Sequence, residues 1–269
     1  MKRTILPKFI SIVAIFLIVF ATGCNKNDRS LNIFSIEDDK ELGAQLDQQI
    51  ASDPSTYPIL SEAQYPQAYQ HLRRIRDKIL NSGNVYYKDE FEWQVKIIND
   101  DNTLNAFCAP GGYIYVYTGI IKYLETEDQF AGVLAHEIAH ADRRHSTDQM
   151  TKVYGIETLL SLVLGTNQNV LTQIAEGLLT LKFSRSNEEE ADEYSVRYLC
   201  PTDYNAAGAA GFFQKMLDNG DGTGPAEFLS THPSPDNRVQ DINAQKSELS
   251  CSGTATYDSQ YQDFKNSLP

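Results

Sequence analysis

Apolar side chains recur every three or four residues in two segments of the first third of the chain, which predicts two amphipathic helices. The segments span residues 35–51 and 69–80. The apolar positions at helical spacing are Ile36, Leu42, Leu46, Ile50, Leu72, Ile75, Ile79 and Leu80. Each helix therefore has one face for a core and an opposite face for solvent.

Two later segments are rich in β-branched and aromatic residues, and they predict strands. The first reads WQVKII at residues 93–98, and the second reads YIYVY at residues 113–117. The sequence Pro-Gly-Gly at residues 110–112 is a turn signal directly before the second strand. We therefore expect a small sheet in this part of the chain.

Helical patterns dominate the second half of the chain. Thr126 and Gln129 form a predicted capping box for a helix that runs to about His145. A further helix is expected at residues 187–199, and short helices and loops follow it. Helices that outnumber a small mixed or antiparallel sheet predict an α+β fold.

Two apolar stretches lie between these helices, at residues 154–164 and 170–181. We expect a core hairpin there, with a mobile lid or a membrane-facing flap as the alternative. No linker divides residues 35–250, so this range is predicted to be one domain, followed by a polar tail at residues 251–269.

The first 23 residues have the pattern of an export signal, with basic residues followed by the apolar run FISIVAIFLIVF at residues 9–20. A run of this length is short of the roughly 20 residues that a spanning helix needs, and it fits a secretory signal peptide. The small residues Ala21-Thr22-Gly23 stand before Cys24. They resemble a bacterial lipobox, although Ala21 stands where Leu is usual, and predict a lipidated Cys24 at the start of a tether over residues 24–34. An ordinary signal peptide followed by a free cysteine is the alternative.

The composition narrows the functional classes. The chain has 269 residues, 41% of them hydrophobic, which is enough for a substantial core. Its formal net charge of −13 repels nucleic acid phosphates, so we expect no nucleic acid partner.

The segment VLAHEIAHADRRH at residues 133–145 carries the strongest chemical signal. His136 and His140 lie four residues apart and point in nearly the same direction on a helix, so that both imidazoles can bind one ion. Glu137 lies about 100° further round, near the ion without being a ligand. This HExxH spacing is typical of zinc peptidases in which the glutamate is the general base.

A catalytic zinc site needs a third protein ligand and keeps one position open for water. A third histidine six residues after His140 would serve, but that position is Ser146. His145 lies about 140° away from His140 around the helix, so it is expected to cap or pack the helix rather than bind metal.

The run SRSNEEEAD at residues 184–192 offers acidic ligands instead. Glu188 and Asp192 lie four residues apart on one helical face, so one can bind zinc while the other accepts the distal N–H of a ligand histidine. A solvated acidic face is the alternative for this run, and Glu189 is expected to be solvated in either case.

Four stretches of the chain together carry a resemblance to a known family. They read HEIAHADRRH at 136–145, SRSNEEEAD at 184–192, NAFCAPGGYIYVYTG at 105–119 and THPSPDNR at 231–238. The sequence resembles zinc metallopeptidases of the CaaX-prenyl-protease and HtpX type, in particular their small periplasmic lipoprotein members, over residues 35–245. The resemblance implies a zincin-like (minigluzincin) fold.

The resemblance also implies the roles of the site residues. It makes His136, His140 and Glu188 the ligands of one Zn²⁺ per chain, with Asp192 orienting a ligand histidine. Glu137 would be the general base for the zinc-bound water. His232 is the candidate second donor to the oxyanion, and Arg238 is either its helper or a structural clamp.

We expect substrate to bind at the strand over residues 113–117. If this strand is at the edge of the sheet, an extended peptide can add beside it through backbone hydrogen bonds. Gly112, Tyr113 and Tyr115 are then the candidate substrate-binding residues, unless the tyrosines only pack or face water.

The implied function is that of a zinc metalloendopeptidase acting on misfolded or misassembled cell-envelope polypeptides. A lipid on Cys24 would hold it to the bacterial envelope, at the periplasmic face of the outer membrane. The alternative is an envelope chaperone or assembly partner whose protease activity is latent or secondary.

Export also implies an oxidising compartment for the three remaining cysteines. Because Cys108 lies in a stretch assigned to the active site, Cys200–Cys251 is the preferred disulfide. The sequence leaves the other two pairings open.

Overall fold

Twelve helices surround one small sheet in the described part of the computed structural model, which comprises residues 33–166, 170–218, 226–233 and 237–269. The predicted signal peptide and Cys24 lie outside these residues. The helices are α1 (Ile36–Ala51), α2 (Pro66–Leu80), α3 (Thr118–Tyr123), α4 (Glu127–Asp142), α5 (His145–Tyr154), α6 (Ile156–Val163), α7 (Leu171–Leu178), α8 (Arg185–Leu199), α9 (Gly208–Asp218), α10 (Ala226–Thr231), α11 (Arg238–Glu248) and α12 (Asp258–Asn266). The predicted α+β class is confirmed.

The sheet is mixed and has the order β1-β3-β2, with strands Gln94–Ile98, Ala106–Ala109 and Tyr113–Tyr117. β3 pairs with β1 in parallel and with β2 antiparallel, so both of its backbone edges are occupied. The prediction that residues 113–117 form an edge strand is therefore wrong. β2 has no sequence signal of its own, because all four of its residues are buried and its faces do not alternate in polarity.

Helix α4 lies in the middle of the molecule, and every residue from Phe130 to Asp142 is buried. It packs against β2, α8 and α9. A Cβ atom on Gly132 would lie 2.1 Å from the backbone nitrogen of Ala209, so the two helices approach closely only because residue 132 has no side chain. The surface of α4 therefore packs against neighbouring elements and is not exposed to solvent.

Both ends of α4 differ from the prediction. The Thr126 side chain makes no capping hydrogen bond to the helix; its hydroxyl donates to Asp128 at 2.5 Å instead. The helix ends at Asp142, because Arg144 adopts a left-handed conformation with φ of 60°. His145 therefore begins a new helix and does not continue α4.

The second apolar core lies on the side of the sheet that faces α1, α6 and α7. The predicted apolar stretches become α6 and α7, whose residues Leu159, Leu162 and Ile174 are fully buried there. Ile156 and Leu160 on the outer face of α6 are exposed. Among the described helices, none has both the length and the apolar character needed to cross a bilayer.

Residues 251–269 are folded, so the predicted polar tail is wrong. Cys251 forms a disulfide with Cys200, as preferred from the sequence. Tyr261 and Phe264 of α12 are fully buried against Phe130 of α4. The tail prediction failed because few apolar residues anchor α12, and its many polar residues face solvent.

Candidate metal centre

Four buried side chains from three parts of the chain converge at one point beside α4. His136, His140, Glu188 and His232 each offer one ligand atom, and these atoms all lie within 4.8 Å of one another. The Nε2 atoms of the two α4 histidines are 3.0 Å apart, and they lie 3.4 Å and 3.3 Å from the two carboxylate oxygens of Glu188. The structure thus brings together the three ligands that the sequence predicted.

Local sequence explains why these side chains meet. The four-residue spacing in α4 places both histidines on the same face. Helix α8 begins at a capping box in which the Ser184 hydroxyl accepts a hydrogen bond from the Asn187 N–H. Packing of α8 along α4 then brings Glu188, in the first turn of α8, to the pair of imidazoles.

Asp192 and Arg238 hold the first ligand histidine in place. The Nδ1 atom of His136 lies 2.8 Å from Asp192 Oδ1, which leaves Nε2 for a metal. Arg238 donates to both oxygens of Asp192, at 2.7 Å from Nε and 2.6 Å from Nη2. Its Nη1 lies 3.3 Å from Glu188, and its guanidinium stacks on the ring of Phe213 at 3.9 Å. Arg238 therefore joins two acidic residues of the site, which corresponds to the structural clamp of the two predicted roles.

Glu137 lies next to this group and is fully buried. Within the described residues, neither of its carboxylate oxygens has a hydrogen-bond partner. Nε2 of His232 lies 3.6 Å from its Oε1, beyond hydrogen-bond distance. A buried carboxylate with no partner is costly, and a cation with its water at this point would compensate for it.

His232, one residue after α10, contributes a ring nitrogen to the group of four and is fully buried. Its Nδ1 atom lies 3.1 Å from Glu188 Oε1, and its ring stacks on Phe228 at 4.6 Å. The structure brings it to the site as predicted. Its role as an oxyanion donor stays a prediction, and so does the alternative that it fills the fourth position of the zinc site, for which its ring nitrogen lies close enough to the other ligand atoms.

The protonation states of His140 and Glu188 suit metal binding. Burial lowers the pKa of His140 well below its ordinary value, so that the imidazole is neutral. Burial alone would raise the pKa of Glu188, but the charge of His232 and hydrogen bonds from His136 and His140 hold it well below its usual range. Neutral imidazole and ionised carboxylate are the forms that bind metal.

Two other shifts describe how charge is balanced around the site. Burial alone would lower the pKa of His136, but its hydrogen bonds to Asp192 and Glu188 raise it to about 9. Burial raises the pKa of Glu137, against the attraction of His232 and His136. The site thus attracts positive charge at His136 and resists negative charge on the unpartnered Glu137.

The predicted substrate-binding residues are not at this site. Side chains alternate along β3, so that Ile114 and Val116 join the core around α4 while Tyr113 and Tyr115 join the second core on the opposite side of the sheet. The Tyr115 hydroxyl donates to Asp47 of α1 at 2.7 Å, and Gly112 is buried. The assignment of these three residues to substrate is wrong, because a substrate cannot pair with a central strand.

Sequence reasoning missed Phe183 and Glu190, and although it expected His145 to cap or pack the helix, it did not place that ring against a ligand. The Phe183 ring stacks on His140 at 3.9 Å. His145 and Glu190 lie behind His140, whereas Glu189 is exposed as expected. The only available signals were the histidine that follows Arg144 and the extra glutamate in the run at residues 188–190.

The donor set fits zinc. Two imidazole nitrogens and one carboxylate oxygen are the ligands of a common class of catalytic zinc site, which keeps a further position for water. The unpartnered carboxylate of Glu137 is the group that such a water would face.

Comparison with known proteins agrees with this geometry. The family described as peptidase family M48 matches residues 66–246. The chain is 30% identical over 164 residues to the mitochondrial metalloendopeptidase OMA1 of Saccharomyces cerevisiae, which covers 58% of this chain and 47% of that protein. It is 27% identical over 214 residues to the putative beta-barrel assembly-enhancing protease of Vibrio cholerae, which covers 70% of this chain and 44% of that protein.

A second OMA1 metalloendopeptidase, from Schizosaccharomyces pombe, is 28% identical over 222 residues, covering 80% of this chain and 63% of that protein. The chain therefore spans only 44% to 63% of the length of these three relatives. The resemblance to zinc metallopeptidases that the four sequence motifs indicated is confirmed, and its finer part, the likeness to periplasmic lipoprotein members, stays a prediction.

Proposed function

The chain belongs to peptidase family M48 and is a zinc metallopeptidase, and we propose that it cleaves internal peptide bonds of misfolded or misassembled cell-envelope proteins with Glu137 as general base. One observation carries the catalytic part of this proposal. Glu137 is buried beside the three ligands, yet neither of its oxygens has a hydrogen-bond partner among the described residues, and His232 Nε2 lies 3.6 Å away. A carboxylate with a purely structural role would be expected to have a donor.

The ligands and Glu137 divide the chemistry between them. When bound, the zinc ion lowers the pKa of a water ligand towards about 7 and polarises the scissile carbonyl as a Lewis acid. Glu137 accepts the proton of the attacking water and then donates it to the leaving amine. Asp192 and Arg238 keep His136 oriented throughout, so that the site does not reorganise during the reaction.

An extended substrate would have to bind at a strand other than β3. β2 packs against α4 and pairs with β3 on one side only among the named strands. We therefore assign backbone recognition of substrate to the β2 side of the sheet, close to the metal centre. Such recognition depends on hydrogen bonds to the substrate backbone more than on its side chains, which suits the cleavage of unfolded polypeptides.

The envelope location rests on two observations. A relative from Vibrio cholerae is named as a putative beta-barrel assembly-enhancing protease. The first 23 residues have the pattern of an export signal, followed by Cys24. Lipid on Cys24 would anchor the protein at the periplasmic face of the outer membrane. Replacement of Cys24 by alanine should then move the protein from the membrane fraction to the soluble periplasmic fraction, and retention in the membrane would contradict the anchor.

The test of the catalytic proposal is Glu137→Gln, with the exposed Glu189→Gln as its control. We expect Glu137→Gln to keep its zinc and to lose about 10²–10⁴-fold in kcat for an unfolded casein substrate. Glu189→Gln should keep its zinc and its wild-type kcat. Full proteolysis by Glu137→Gln would remove the general-base assignment. If envelope function also survives this change, the chain acts as a chaperone or assembly partner instead.

The position of His232 favours a second candidate function, that of a latent peptidase. Its ring nitrogen belongs to the group of four possible ligands, and four protein ligands would close a tetrahedral zinc site to water. In this arrangement His232 must move away before substrate is cleaved. We expect His232→Ala to raise casein cleavage at unchanged zinc content, whereas a fall of about 10²-fold would instead assign His232 to the oxyanion.

A further inference from the structure

The two ligand histidines of α4 have different partners on their distal nitrogens. Nδ1 of His136 meets a carboxylate, Asp192, at 2.8 Å. Nδ1 of His140 meets another histidine instead, at 3.0 Å from Nδ1 of His145. His140 is fully buried and His145 has only 2% of its surface exposed, so the two rings meet directly in the interior.

The hydrogen atoms in this contact follow from metal binding at His140. When Nε2 of a neutral imidazole binds a cation, its hydrogen must be on Nδ1. Nδ1 of His145 must then be the acceptor, which puts the hydrogen of His145 on its own Nε2. That nitrogen faces Glu190 Oε2 at 3.4 Å. His140 therefore donates to His145, and His145 donates to Glu190.

Arg143 holds the far end of this chain of contacts. Its Nε donates to Glu190 Oε1 at 2.9 Å, and its guanidinium lies 4.6 Å from the centre of the Tyr194 ring. Glu190 therefore has a charged donor on one oxygen and His145 on the other. Its side chain is 22% exposed, so that it can be changed without leaving a sealed cavity.

The backbone between α4 and α5 creates this arrangement. The left-handed conformation of Arg144 ends one helix and starts the next at His145. On a continuous α4, residue 145 would lie about 140° away from His140. The break turns the His145 ring back towards His140, with ring centroids 5.0 Å apart.

We propose that His145, supported by Glu190, is a positioning residue for the metal centre, which fixes the ring orientation and the hydrogen position of His140. His145 holds the Nδ1 side of His140, just as Asp192 holds the Nδ1 side of His136. Loss of such a partner typically weakens metal binding by about 10–100-fold. The inference rests on the proposed ligand role of His140 and is independent of substrate and of Glu137.

The test compares two replacements of His145 in the full chain by zinc competition with a chromogenic chelator. His145→Phe fills the space but offers no acceptor, so the zinc dissociation constant should rise by about 10–100-fold. His145→Asn can place an oxygen near the position of Nδ1, so it should bind within a few-fold of the wild type. Thermal unfolding of the metal-free proteins shows whether either change harms the fold itself.

Glu190→Ala extends the test, because it should weaken zinc binding in the wild type but not in His145→Asn, where no ring N–H faces residue 190. Glu189→Gln on the same helix is the control. The proposal would be overturned if His145→Phe and His145→Asn weakened zinc binding equally. It would also be overturned if zinc affinity were unchanged in both His145→Phe and Glu190→Ala. Because zinc affinity is measured without substrate, an inactive peptidase would leave this result intact.

Discussion

Glu137 and Glu188 show, at the scale of single residues, how one side-chain type can take two roles. Both are fully buried within the same site. Glu188 is surrounded by three imidazoles and the guanidinium of Arg238, so it stays ionised as a ligand. Glu137 has no hydrogen-bond partner in the described part of the chain, which suits a group that exchanges protons. The surroundings of the two glutamates, and not their residue type, therefore make Glu188 a ligand and Glu137 a base.

Arg238 provides the prediction at this scale. It is 3% exposed and joins Asp192 to Glu188, so its removal leaves buried carboxylates without their cation. We expect Arg238→Ala to lower the free energy of unfolding by about 3–5 kcal/mol, measured by urea denaturation of the zinc-loaded protein.

Arg197→Ala is the matched control, because Arg197 also pairs with an acid on α8 but is 43% exposed. Its loss should cost at most about 1 kcal/mol. Similar losses for both variants would mean that the Arg238 clamp contributes no more than a surface ion pair.

The contact between α4 and α9 governs the structure at the scale of elements. Gly132 and Gly208 let two backbones approach, since a Cβ on Gly208 would lie 1.9 Å from the Asp128 carbonyl oxygen. Glycine inside a helix is otherwise unfavourable relative to alanine. Gly132 thus lowers the helix propensity of α4, but it allows α9 to lie directly against the metal-binding helix.

Replacement of Gly132 by alanine should force these helices apart. We expect the melting temperature to fall, with a cost of about 1–3 kcal/mol from overpacking. Gly211→Ala in α9 is the control, because its Cβ would meet only the flexible side chain of Gln129 at 3.0–3.4 Å. That variant should be neutral or slightly stabilised, and an equal loss in both would show that close approach is not the reason for Gly132.

Elements with strong periodicity could be predicted from the sequence, and those without it could not. α1, α2 and α8 were predicted because each has several apolar or charged residues at helical spacing. The pairing of β3 on both sides was missed, because β2 is a four-residue segment without alternation. The metal ligands could be predicted from fixed spacing within α4 and α8, whereas the contact between His145 and Glu190 depends on how the two helices pack.

At the scale of the whole molecule, the C-terminal residues close the fold around α4. The Cys200–Cys251 disulfide joins the end of α8 to the segment before α12, and it closes a loop with a sequence separation of 51 residues. Tyr261 and Phe264 of α12 then pack onto the core of α4. The helix that carries two ligands thus packs against the C-terminal segments that the disulfide and α12 hold in place.

Removal of this disulfide tests its contribution to stability. A closed loop of this length is expected to contribute about 4 kcal/mol by limiting the unfolded chain. The double variant Cys200→Ser, Cys251→Ser should therefore show a lower denaturation midpoint in urea. A reductant added to the wild type should have a similar effect. Cys108→Ser is the control, because Cys108 is a free cysteine and the variant keeps the Cys200–Cys251 disulfide, so it should respond to reductant as the wild type does.

The zinc content of Glu188→Gln tests the central claim most directly, since the whole account requires Glu188 and two α4 histidines to bind one cation. Wild type and Glu189→Gln, dialysed against a competing chelator at a concentration that leaves the wild type loaded, should each retain about one zinc per chain by elemental analysis. Glu188→Gln should lose its zinc under the same conditions, because an amide is a much weaker ligand than a carboxylate. Retention of a full equivalent of zinc by Glu188→Gln would contradict the assignment of this residue as the third ligand.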